Sequence, residues 1–159
     1  MKSPCFIRID KEILPKLYEN NDWSKIGFAT HGDSSTAFIC GTGISTWAAL
    51  DAKSCLTDQN VECTVVDFIK VKPLNLNDLS SLFKNAKWVV VIEESVSSGG
   101  LWELIGASLI NKRISFFLKL NLGDSFILGS AKREWAWEKY GINGESVSKK
   151  IMKTLLELE

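Results

Sequence analysis

Charge of one sign is missing from this chain, in which 19 Lys and Arg residues balance 19 Asp and Glu over 159 residues. A surface without net charge has no long-range field to gather nucleic acid or an anionic membrane, so neither is expected as a partner. No apolar run approaches the length of a membrane-spanning helix, and the opening MKSPCFIRID lacks the pattern of a secretory leader. The four cysteines, Cys5, Cys40, Cys55 and Cys63, form no CxxC pair and lie mostly in apolar runs. That pattern argues against a zinc site or a disulfide framework, and for reduced thiols in a cytoplasmic protein. Neither GKS nor GKT occurs, which removes the P-loop. Histidine occurs once, at His31, in a His-Gly-Asp turn where a solvated turn residue is expected rather than a catalytic base.

What the chain does have is length enough for one domain with its own core. Five successive apolar residues, Trp88 to Ile92, read as a strand buried on both faces, the kind that belongs to a parallel sheet. Glu93, Glu94 and a Ser-Val-Ser-Ser-Gly-Gly loop follow, and then Leu101, Leu104, Ile105, Leu109 and Ile110 recur at the spacing of an amphipathic helix. Strand, glycine loop and helix make the first half of a βαβ unit, and open α/β sheets take ligands just past the carboxyl ends of their strands. Glu94, Ser97, Ser98, Gly99 and Gly100 are therefore ligand-binding candidates. Glu93 and Glu94 are not expected to work as an acid/base pair, because neighbours along a strand point to opposite faces.

Earlier in the chain, Cys5 to Ile9 reads as one short strand. The mixed stretch Asp10 to Lys25, with Pro15, Tyr18 and Trp23, reads as an arm or linker rather than core. Ile26 to Thr30 suits an edge strand, and Thr36 to Cys40 and Cys63 to Phe68 suit core strands. Between the last two a helix is expected from Ser45 to Thr57, carrying Trp47, Leu50 and Ser54 or Cys55 inward. The residues that open it, Gly41, Thr42, Gly43 and Ser45, admit two readings. One is a plain turn with Ser45 as helix cap; the other is a backbone cradle for an anion at the helix N-terminus.

Pro73 keeps Lys72 extended, and a short helix from about Asn77 to Lys84 follows, capped by Asn75 or Asn77. Ile114 to Leu120 supplies another strand. After an irregular stretch from Leu122 to Ser130, a helix from Ala131 to Tyr140, capped by Ser130, ends at Gly141. Asn143 to Leu158 forms the last amphipathic helix, through Val147, Ile151, Leu155 and Leu158. Trp135 and Trp137, two apart in a helix, cannot share a face. Either one of them is exposed at a contact surface or both tuck under loops. Strands alternating with helices predict α/β layers, a mainly parallel sheet and right-handed crossovers.

The succession of GTGIS with its helix, VVDFIKVKPLN, WVVVIEESVSSGGL, and a Gly-Ser opening a helix that ends in Lys-Tyr-Gly resembles the C-terminal domain of the transketolase family. That family includes transketolase, 1-deoxyxylulose-5-phosphate synthase and the beta subunits of 2-oxo-acid dehydrogenases. Lys72-Pro73-Leu74 and the block from Glu93-Glu94 to Gly99-Gly100 carry most of the likeness, which runs from about Ile26 to the C-terminus. The resemblance implies a three-layer α/β/α fold on a mixed, mainly parallel five-stranded sheet with an antiparallel edge strand. It implies that residues 1–25 are the end strand of a preceding pyrimidine-binding domain plus a linker arm, and that 26–159 form the domain itself. For the complete enzyme it implies transfer of two-carbon ketol units with thiamine diphosphate and magnesium.

In that family the Gly-Asp-Gly metal motif and the cofactor-activating glutamate belong to other domains, and Gly32-Asp33-Ser34 shares only two letters with the motif. No catalytic residue, metal ligand or cofactor is therefore expected within this chain. It departs from the family at Ser95 and at Trp102, whose indole stands where members place something small. Trp102 either closes a pocket or projects into a partner, and with Trp135 and Trp137 it is an interface candidate. Two functions follow from different classes. One is a non-catalytic domain or subunit that packs against cofactor-binding domains and a second copy. The other is a stand-alone module that binds a small anionic metabolite at the Gly41–Ser45 and Glu93–Gly100 loops.

Overall fold

Runs of apolar residues too long to leave one face wet build the middle of the sheet, and shorter or more polar runs build its edges. The structure is a computed structural model and describes residues 4–19, 27–127 and 132–158. In chain order the elements are β1 (Phe28–His31), β2 (Ala37–Gly41), α1 (Ser45–Thr57), β3 (Thr64–Phe68), α2 (Leu76–Leu82), β4 (Trp88–Ile92), α3 (Leu101–Leu109), β5 (Phe116–Leu120), α4 (Arg133–Tyr140) and α5 (Gly144–Leu156). The strands lie in the order β1-β3-β2-β4-β5. All neighbours are parallel except β1, which runs antiparallel to β3 at the edge. Every residue of β2, β3 and β4 is buried. The mixed five-stranded sheet with one antiparallel edge strand is the architecture that the family resemblance implies.

Side-chain alternation divides the core in two. On one face Ile39, Val65, Val90 and Ile92 pack beneath α1 and α5; on the other Phe38, Val66, Val89 and Val91 pack beneath α2 and α3. The chain leaves β2 toward β3 on one side and leaves β4 toward β5 on the other. The crevice between the carboxyl ends of β2 and β4 is thus the topological switch point. Asn75 caps α2 by accepting from the Asn77 N–H, and Asn143 caps α5 by accepting from the Ser146 N–H. Gly141 ends α4 at φ 65°, a conformation that a side chain disfavours.

Some expectations are corrected by the structure. Helical spacing points Trp47, Leu50 and Ser54 or Cys55 of α1 inward, whereas the buried face carries Ala48, Ala49, Ala52 and Leu56. The reason is the close approach of α5, against which small side chains are the ones that fit. Ile110 stands out into solvent just past the end of α3. Cys5 to Ile9 is not paired as a strand, since no neighbouring segment among the described residues supplies the hydrogen-bonded ladder that a strand requires. His31 is the last residue of β1 rather than a solvated turn residue. Ser45 lies inside α1 and does not cap it. The expected cap Ser130, together with Trp23 and Ile26, falls outside the described residues, and α4 begins at Arg133.

Candidate functional site

At the carboxyl end of β2 the loop closes on itself. Ser45 Oγ accepts from the Thr42 N–H at 3.0 Å and donates to the Thr42 carbonyl at 2.9 Å, while Thr42 Oγ1 donates to the Phe68 carbonyl at 2.7 Å. Gly41 is needed because a Cβ there would lie 2.9 Å from Thr46 N, and Gly43 turns the chain at φ 58°. At the residue after Ser45, Thr46 Oγ1 donates to Asp67 Oδ1 at 2.7 Å. The polar side chains of this loop point at one another and at β3.

Beyond β4 the two glutamates diverge, as alternation along a strand requires. Glu93, 4% exposed, accepts from the backbone N–H groups of Leu101 at 2.7 Å and Trp102 at 3.1 Å. It also accepts from Ser95 Oγ, and Lys119 Nζ lies 3.9 Å from Oε1. A helix N-terminus favours a negative charge, and at α3 the chain places its own carboxylate there. Gly100 borders Glu93 so closely that a Cβ would overlap the carboxylate. Ser97, Ser98 and Gly99 form the exposed crest of the loop, where the Ser97 carbonyl accepts from Lys119 and the Gly99 N–H donates to Glu103. Trp102 stacks on Phe117 at 4.7 Å with the rings 5° from parallel, and the Lys119 ammonium sits 5.3 Å from its centroid. Its indole therefore covers β5 of its own chain.

Glu94 faces the opposite side and accepts from Arg133 Nε at 2.8 Å and from Trp137 Nε1 at 2.6 Å. Trp137 is thus drawn inward, and Trp135 is left 46% exposed beneath the Lys139 ammonium. Arg133 also reaches the arm, meeting Asp10 at 2.9 Å and Glu12 at 2.7 Å, so one guanidinium serves three carboxylates. The Glu12 backbone N–H and the Arg133 guanidinium hold the Asp10 carboxyl below its ordinary value, against a partial desolvation that raises it. A second anchor lies at the other end of the arm, where Tyr18 donates to the buried Asp67 at 2.8 Å and approaches His31 Nε2 at 3.0 Å. Burial, with the Asp67 carboxylate beside it, pushes the Tyr18 hydroxyl upward.

The ligand candidates flank the switch point, Gly41 to Ser45 on the β2 side and Glu94 to Gly100 on the β4 side. Sequence reasoning had no means to find Arg133, whose partner Asp10 is 123 residues away. Asp67, a single carboxylate within the apolar run Val65 to Phe68, did carry a signal, because a buried charge demands partners. Among the described residues no group of three or more His, Cys, Asp or Glu is disposed to hold a metal. Asp67, Glu93 and Glu94 are all engaged with donors of the chain itself. A metal-held diphosphate therefore does not fit these residues. Burial pushes the Cys40 thiol up and Cys63 up to about 11. At neutral pH a thiol reagent is expected to label the exposed Cys5 within seconds to minutes, and Cys40 and Cys63 only on denaturation.

A family model described as the C-terminal domain of transketolase matches residues 29–147. The chain belongs to the transketolase C-terminal domain family. Among curated relatives, a putative transketolase C-terminal section from Methanocaldococcus jannaschii is 28% identical, over 97% of this chain and 49% of the relative. A 1-deoxy-D-xylulose-5-phosphate synthase from Dictyoglomus thermophilum is 28% identical over 76% of this chain and 20% of its own length. One of the subunits of an apulose-4-phosphate transketolase from Phocaeicola vulgatus is 22% identical over 92% of this chain and 47% of its own. This transketolase C-terminal domain thus spans about half of those relatives or less. A solved split-gene transketolase, described as an inactive beta4 tetramer, shares the fold at a TM-score of 0.72 and 23% identity, over 89% of this chain and 46% of that one.

Proposed function

We propose that this chain is a non-catalytic part of a thiamine diphosphate-dependent transketolase-like transferase, a cytoplasmic enzyme in which it serves assembly. The observation that carries the reading is the set of exposed apolar side chains on the arm. Phe6, Ile7 and Ile9 are 92%, 68% and 83% exposed, and Ile13, past a bend at Lys11 and Glu12, is 101% exposed. Such a set is costly to leave in water and marks a surface that another protein covers. Arg8 and Asp10 reach Glu94 and Arg133, while Ile7 and Ile9 stay exposed. Full burial of four such side chains is worth roughly 1.5–3 kcal/mol each. Relatives described as a C-terminal section and as one subunit of a transketolase, each matched over about half its length, support a cofactor-binding counterpart as the covering partner. That partner would hold thiamine diphosphate and magnesium and would carry out the ketol transfer, with a second copy of this chain completing the oligomer.

The test mixes this chain with the cofactor-binding part encoded with it, in thiamine diphosphate and magnesium, and follows ketol transfer together with size-exclusion chromatography. This chain alone is expected to show no transfer, and the mixture to co-elute and turn over. Ile7→Asp with Ile9→Asp should abolish co-elution while leaving the domain folded. Transfer by the chain alone, or unimpaired co-elution of the double variant, sinks the reading.

A further inference from the structure

The two anchors of the arm stand at different strands. Asp10 and Glu12 meet Arg133 beside Glu94, just past the carboxyl end of β4, and Tyr18 meets Asp67 near the carboxyl end of β3. Strand β2 lies between β3 and β4 in the sheet. Two strand spacings come to roughly 10 Å, and the eight steps from Asp10 to Tyr18 reach at most roughly 28 Å. The stretch between the anchors is therefore long enough to cross the end of β2 with slack. It also has an inner side: Leu14, Leu17 and Tyr18 are half-buried, while Ile13, Pro15 and Lys16 are exposed. Glu94 and Asp67 both reach toward the α1 and α5 face of the sheet, Glu94 to Trp137 and Asp67 to Thr46.

We infer that residues 10–18 are a strap laid across the switch-point crevice, latched by Arg133 at one end and by Asp67 with His31 at the other, so that the chain itself occupies the place where an open α/β sheet takes a ligand. While both latches hold, the strap stands over the crevice end of the Gly41–Ser45 loop, whose tip Gly43 stays exposed. Access of any ligand to the crevice requires release of one of them. Arg133 is the positioning residue of this device. No other residue meets both arm carboxylates and Glu94 among the described contacts, and a lysine, which offers one point charge instead of a planar fork, cannot serve all three. The strap depends on contacts within the chain alone and holds whether or not the exposed apolar side chains of the arm dock on a partner.

The experiment uses the full chain without any partner, as wild type, Arg133→Lys, Tyr18→Phe and the double variant. Two readouts are taken: tryptic cleavage after the exposed Lys16, and hydrogen exchange of the backbone amides of residues 41–46. Each single variant is expected to raise cleavage after Lys16 about tenfold and the double variant further, since cleavage follows the population of the released arm. Exchange at 41–46 should accelerate in step, with the amides of residues 37–40 and of β3 and β4 unchanged as the sign that the domain stays folded. Unchanged cleavage in the double variant overturns the latches. Faster cleavage without faster exchange at 41–46 overturns the placement of the strap over the crevice.

Discussion

Glu93→Ala is expected to cost the domain about 3–5 kcal/mol, the range for removing one partner of a buried, hydrogen-bonded charge. At ~2–4 °C per kcal/mol for a chain of this size, the fall in Tm is on the order of 10 °C. Three losses coincide. The Leu101 and Trp102 N–H groups lose their acceptor at the first turn of α3, the Lys119 ammonium loses its nearest carboxylate, and a void opens beneath Gly100. Glu93→Gln keeps the shape and one acceptor oxygen and should fall about halfway. Gly100 supplies an independent check. Its φ of −96° is open to any residue, so Gly100→Ala carries no backbone strain and is harmful only because its Cβ displaces the carboxylate. A double-mutant cycle should therefore show Gly100→Ala costing much less in the Glu93→Ala background than in the wild type. Additive costs by thermal or urea unfolding would mean that the carboxylate is not what holds the loop to the helix.

Gly144→Ala is the second change with a large expected effect, and its sign is the informative part. In an exposed helix that substitution stabilises by about 1 kcal/mol through helix propensity. Gly144, the first residue of α5, is buried against α1, and a Cβ there would lie 2.9 Å from Ala52 N and 3.0 Å from the Asp51 carbonyl carbon, nearer still to Asp51 Cβ. The obstacle is the backbone of a helix seated on the sheet through Ala48, Ala49 and Ala52. It can yield only if the two helices separate. Overpacking of this kind costs about 1–3 kcal/mol, and Gly144→Val should cost more. A neutral or stabilising Gly144→Ala in urea unfolding would show that α5 is free to ride outward.

These two sites mark how far the sequence could be read. The valine-rich run before Glu93 revealed a buried parallel strand, and the apolar spacing after Gly100 revealed the helix. The alternation rule also sends Glu93 and Glu94 to opposite faces without any knowledge of the fold. None of that identified Glu93 as the anion of α3. The role needs the carboxylate to fold back on amides eight and nine residues ahead, a distance set by the path of the glycine loop. For α1, spacing put the large residues Trp47 and Leu50 inward, whereas contact with α5 selected the alanines. A helix pressed on two sides buries what is small, not what is most apolar.

By itself the sequence determined the succession of strands and helices along the chain and the family, because these follow from local periodicity and from runs of residues that resemble known ones. Only the tertiary structure decided what the charges do. Arg133 joins Asp10, Glu12 and Glu94; Tyr18 joins Asp67; Glu93 closes α3. Each pairing brings together groups whose spacing along the chain obeys no period, since it is the packing of strands and helices that makes them neighbours. A charge can be recognised in a sequence, but its partner is chosen by the fold.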